Sequence, residues 1–249
     1  MKAKYSDNTK INNSIDGDDN ESQEEHPDNT PTERDATSIS KADGFSICTI
    51  LIAGHIEGHS SVSPPMKATK YERIIPELVA FQRNPDLDGL LIILNTVGGD
   101  VEAGLALAEL VASLDKPTVS LVLGGGHSIG IPIAVAAQTS FIVKSATMTL
   151  HPVRTGGVII GAEQSFEYIM RMQDRVTNFI LDHSSVSKTA LNRLIYSNKE
   201  LSGDIGSLID GERAVKIGLI NKVGGLVDAL NELKSITKRN KPDPSSVPT

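Results

Sequence analysis

One unit recurs in this 249-residue chain and restricts its fold more than any other feature: a short apolar strand that runs into a glycine-rich turn and then an apolar helix. Leu90-Leu91-Ile92-Ile93-Leu94 leads into Asn95-Thr96-Val97-Gly98-Gly99, after which Asp100 is placed to cap a helix reaching about Leu114. Pro117 to Val122 leads into Gly124-Gly125-Gly126-His127-Ser128, followed by a second apolar helix from Ile129 to Ala137 and a strand at 140–143. Strands this short and apolar, alternating with helices, predict an α/β fold whose strands are covered on both faces. Two such turns about thirty residues apart can set their helix N-termini side by side. Helix N-termini carry unpaired N–H groups and partial positive charge, an arrangement suited to an oxyanion.

The remaining elements follow from the same periodicities. A buried strand is expected at 45–53, then a Gly/Ser/Pro loop to Pro65, and a helix over 70–82. A long helix is expected at 163–183, a shorter one at 188–196, and a last unit at 211–220 leads to a helix over 227–237. Charge is uneven. Of the net −7, residues 1–43 hold eleven acidic against five basic side chains and lack an apolar period. They are expected to form a disordered acidic tail, with the folded domain at 44–237 and a polar tail at 238–249. The domain is then nearly neutral, which argues against a nucleic-acid groove. One cysteine, Cys48, rules out a disulfide within the chain and suits a reducing compartment. The sequence offers neither a signal-peptide h-region nor eighteen uninterrupted apolar residues, so a cytoplasmic protein without a transmembrane segment is expected.

The chemistry concentrates at Gly126-His127-Ser128-Ile129-Gly130, which reads G-x-S-x-G. A serine at a strand-to-helix turn presents its hydroxyl off the helix N-terminus, and the following N–H can face the carbonyl under attack. An α/β-hydrolase would need its histidine late in the chain, after an acid. The histidines end at His183, which follows Asp182 on the long helix, so that reading fails. A phosphate loop lacks its string, and Lys144, the nearest lysine before His151, sits just past a strand. His55 and His59 flank Glu57 in a loop rather than on a helix, so no metal is expected there, and no cofactor elsewhere.

Asn95-Thr96-Val97-Gly98-Gly99, Gly126-His127-Ser128-Ile129-Gly130 and Met148-Thr149-Leu150-His151-Pro152 together resemble, in order and spacing, the Clp protease proteolytic subunits. The likeness spans about residues 45–225. Leu94 to Gly104 and His151-Pro152-Val153-Arg154 look like the family's translocation-enhancing branch. The resemblance implies a ββα superhelix shared with crotonases and a long handle-type helix. It also implies Ser128 as nucleophile, His151 as general base, and the N–H groups of Gly99 and Ile129 as oxyanion hole. The family's third member is an aspartate. Counting back from Glu212-Arg213-Ala214 brings it to Ser202 without a gap and to Asp204 with two residues missing, and Asp204 is the candidate. Otherwise the pair works as a dyad or not at all. Further implications are peptide or unfolded-protein substrates, a homo-oligomeric ring and a link to pre-protein export. An ATPase partner is allowed, although no docking motif for one is legible. Two rival functions stay open: a non-catalytic assembly or export factor, and a crotonase-type acyl-CoA enzyme needing no Ser–His pair.

Overall fold

A computed structural model describes residues 37–42, 44–59, 62–63, 65–154, 161–198 and 205–240. The sheet is built on β2 (Phe45–Glu57), β4 (Gly89–Gly99), β5 (Thr118–Gly126) and β6 (Thr139–Ile142), all parallel and adjacent in that order. Between them in sequence lie α1 (Tyr71–Arg83), α2 (Val101–Ala112) and α3 (Gly130–Ala136). The strands pair at Ile52–Leu94 and Leu94–Val122.

Alternation along the strands divides the core in two. Ile50 and Ile52 of β2, Leu90, Ile92 and Leu94 of β4, and Val122 of β5 pack with α1, α2 and α3. Their neighbours Leu91, Val119, Leu121 and Phe141 pack instead on Ala229, Leu233 and Ile236 of α7 (Leu226–Asn240). Period-2 strands thus carry helices on both faces, as the unbroken apolar runs require. Two more strands, β7 (Thr147–Leu150) and β8 (Ser207–Asp210), form an antiparallel pair, and β7 meets β5 at Gly125. The long helix α4 (Ala162–Asp182) and α5 (Lys188–Ile195) pack onto the first core through Phe179, Ile180, Leu191 and Leu194.

Two edges differ from the expected 44–237 domain. β1 (Thr37–Ala42) lies in the stretch assigned to the acidic tail and pairs antiparallel with β2, from Thr37–Ile50 to Ala42–Phe45. Its side chains are almost all exposed, Ile39 included, so main-chain bonding at the sheet edge holds it and no apolar period announces it. At the other end α7 continues to Asn240. Short strands β3 (Ala68–Lys70), beside β2, and β9 (Lys222–Val223), beside β6, complete the sheet, and α6 (Gly211–Lys216) follows β8. Among the described residues no helix is long and apolar enough to cross a membrane.

Candidate active site

The glycine-rich segments are strand ends rather than free turns: β4 runs through Gly99 and β5 through Gly126. Beyond β5 the chain reverses sharply at Ser128, whose φ of 54° makes it the non-glycine residue with left-handed backbone among those described. Such a conformation costs a serine roughly 1–2 kcal/mol, so the surroundings must impose it. They do so through Ser128 N–H donating to Thr149 O at 2.9 Å and His127 N–H to Thr96 O at 3.1 Å. Gly98 makes room. A Cβ there would lie 2.7 Å from Ser128 Cβ and 2.9 Å from His127 O, at a φ of 90° that favours glycine.

Gly99 and Ile129 line the same cleft as Ser128. Asp100 N–H donates to Ile56 O at 2.9 Å and Gly98 N–H to Thr96 Oγ1 at 3.0 Å. Successive strand residues address opposite edges, which turns Gly99 N–H away from β2 and toward the edge shared with Ser128. At the other turn, Gly130 and Ile131 give their N–H groups to the carbonyls of His127 and Ser128, and Ile129 precedes both. Asp100 caps α2 by accepting from Ala103 N–H at 2.8 Å, which fixes where β4 ends.

His151 follows β7 directly. Its Nδ1 lies 2.7 Å from Pro152 O. A carbonyl only accepts, so Nδ1 carries the proton and Nε2 keeps its lone pair. Among the described residues no hydrogen bond joins His151 to Ser128. Both line one cleft of about 600 Å³, counted with the part that opens to solvent, along with Gly99 and Ile129. The rest of its wall is mainly apolar, with Val101, Ile131, Leu150, Val176, Ile180 and Ile195. Four of the five expected site residues therefore meet, and Asp204 lies outside the described residues.

Other candidates lie apart from this cleft. Lys144 pairs with Glu212 at 3.1 Å, both exposed. His59 meets the Tyr71 ring edge-on. His127, beside Ser128 in sequence, turns its Nδ1 to Thr149 Oγ1 at 2.8 Å, and burial lowers its pKa. It braces the turn. Gln173 was missed. Buried on α4, it accepts from Val153 N–H at 2.8 Å and donates to Thr177 Oγ1 at 3.0 Å. Its place on the stripe Gln173-Val176-Ile180, at helical spacing, signals burial in the sequence but not its partner.

Comparison with known proteins fits this geometry. The chain is 52% identical over 206 residues to the translocation-enhancing protein TepA of Halalkalibacterium halodurans, covering 83% of this chain and 80% of that protein. It is 21% identical over 150 residues to the ATP-dependent Clp protease proteolytic subunit 1 of Chlamydia muridarum, covering 58% of this chain and 72% of that one. Among solved structures, a mutant of ClpP1 from Listeria monocytogenes superposes with a TM-score of 0.59 at 20% identity, over 73% of this chain and 94% of that one. The α/β fold is therefore ClpP-like, with α4 as its long helix. The model of the Clp protease family matches residues 52–226, from the middle of β2 to the first residue of α7. The strand ends, the Ser128 turn and His151 all fall inside that match, and the chain belongs to the Clp protease family.

Proposed function

We propose that this protein is a serine-type endopeptidase that hydrolyses peptides or unfolded protein segments through an acyl-enzyme. The observation that carries the reading is Ser128, held in left-handed backbone at a strand-to-helix junction, on the same cleft as His151. Ser128 Oγ attacks the scissile carbonyl while His151 Nε2 takes its proton, and the carbonyl oxygen becomes an oxyanion facing the N–H groups of Gly99 and Ile129. The imidazolium then protonates the departing amine. Water, deprotonated by the same Nε2, cleaves the ester and returns the serine. Asp204 is the proposed acid whose charge stabilises the His151 imidazolium, orientation being left to Pro152 O on Nδ1.

The apolar wall suits apolar side chains next to the cleaved bond. The 52% identity to a translocation-enhancing protein supports a role connected with pre-protein translocation in the cytoplasm, and family membership supports a homo-oligomeric ring. A second reading is a catalytically impaired assembly or export factor. What favours it is that His151 Nδ1 is held by a main-chain carbonyl.

Fluorophosphonate labelling of the purified protein decides between them. Labelling is expected in the wild type and absent in Ser128→Ala, with a loss of several orders of magnitude in His151→Ala. A folded, assembled wild type that does not label would remove the peptidase reading in favour of the non-catalytic factor.

A further inference from the structure

Pro152 O, which holds His151 Nδ1, and Val153 N–H, which Gln173 holds, belong to the same peptide group. We infer that Gln173 is a positioning residue for His151, acting through the Pro152–Val153 peptide plane. The inference rests on the peptidase reading and deepens it.

A peptide is planar, so anchoring its N–H fixes the direction of its C=O. The anchor is firm: Gln173 is 5% exposed, and its amide N–H donates to Thr177 Oγ1 one turn along α4. Val153 N–H can only donate, so it is the side-chain oxygen that faces it, and the NH2 is left to meet the Thr177 hydroxyl. Finally, an acceptor on the peptide N–H polarises the whole group and strengthens its carbonyl as an acceptor. The chain α4, Gln173, peptide, Nδ1–H thereby holds His151 in the tautomer that leaves Nε2 as base. That is one of the two tasks an aspartate performs in a triad, namely orientation. Stabilising the imidazolium's charge is the other, and a neutral peptide does it weakly.

The test compares full-length wild type with Gln173→Met, which keeps the length but cannot accept strongly, and with Gln173→Glu, whose carboxylate oxygen accepts the same N–H while the Thr177 hydroxyl turns to donate. Two readouts are taken: the fluorophosphonate labelling rate, and magic-angle-spinning spectra of histidine-¹⁵N-labelled protein, with His151 assigned by its loss in His151→Gln. The wild type should show the Nδ1–H tautomer at His151. Gln173→Met should mix in the Nε2–H tautomer and slow labelling by roughly 10- to 100-fold, and Gln173→Glu should recover both. A Gln173→Met protein with unchanged tautomer and rate would overturn the inference. So would a folded Gln173→Glu protein as impaired as Gln173→Met. If the wild type does not label at all, the peptidase reading falls, and the tautomer spectra still decide the role of Gln173.

Discussion

At the scale of single residues, the site depends on a missing side chain as much as on Ser128. Gly98→Ala would place a methyl group 2.7 Å from Ser128 Cβ, on backbone at φ 90° that resists any side chain. Ser128 must shift or β4 must bend. Labelling of Ser128 should fall by about two orders of magnitude, and stability by roughly 1–3 kcal/mol, read by labelling kinetics and calorimetry on one preparation. His127 makes a different prediction. Burial holds its pKa below the ordinary histidine value, so the unfolded chain takes up this proton at higher pH than the folded one. Where the two differ the unfolded state binds more protons, and stability rises with pH. This contribution is complete above the unfolded value of about 6.5 and is lost as pH falls through the folded value. Between pH 7 and 5 the melting temperature of wild type should therefore drop more steeply than that of His127→Gln. Parallel slopes would show that the imidazole is not kept neutral by the fold.

At the scale of elements, Asp100 is where strand end and helix start meet, directly after Gly99 with its proposed oxyanion amide. Asp100→Ala removes the cap on α2 and should cost about 1 kcal/mol, or a melting shift of about 2–4 °C in a domain this size. Because its own N–H fixes β4 against Ile56, the substitution should slow labelling more than the stability loss explains. This cap was legible, since an aspartate before an apolar helical period has few other uses. So were the parallel strands: Leu90 to Leu94 and Val119 to Val122 are apolar on both faces because helices cover both faces. β1 was not, because its one large apolar side chain, Ile39, faces solvent and only the main chain binds it. Nor was the full length of β4, where a register shift between Leu94 and Thr96 lets the strand run on through residues that read as a turn. In the site, that Ser128 and His151 would meet on one cleft was legible from three motifs read together. Gln173 was not, because its partner is a peptide N–H twenty residues away, and no sequence pattern marks a main-chain partner.

At the scale of the whole molecule, the long helix α4 changes character along its length. Its second half buries Met172, Phe179 and Ile180 in the core, and Arg175 ties it to α2 through two hydrogen bonds to Glu102, at 2.7 and 3.0 Å. Its first half leaves Phe166 65% exposed and Tyr168 58% exposed, with Met170 partly so. Large apolar side chains grouped on one stretch of a helix need a cover in solution, and the proposed ring supplies one in a second copy of this chain. Phe166 makes no part of the core, so Phe166→Glu should leave the monomer's fold intact while placing a charge where a neighbour would have to bury it. Sedimentation velocity at micromolar concentration should then show wild type as a large assembly and Phe166→Glu as a smaller species with an unchanged circular-dichroism spectrum. Labelling links this surface to the site. Gln173 lies two turns beyond Phe166 on the same helix and holds the peptide next to His151, so a helix freed at its first half should hold that peptide less firmly. The dissociated variant should label more slowly than wild type without any change near Ser128. An assembly that survives Phe166→Glu with full labelling would place the subunit contact elsewhere, and a wild type that sediments as a monomer would remove the ring.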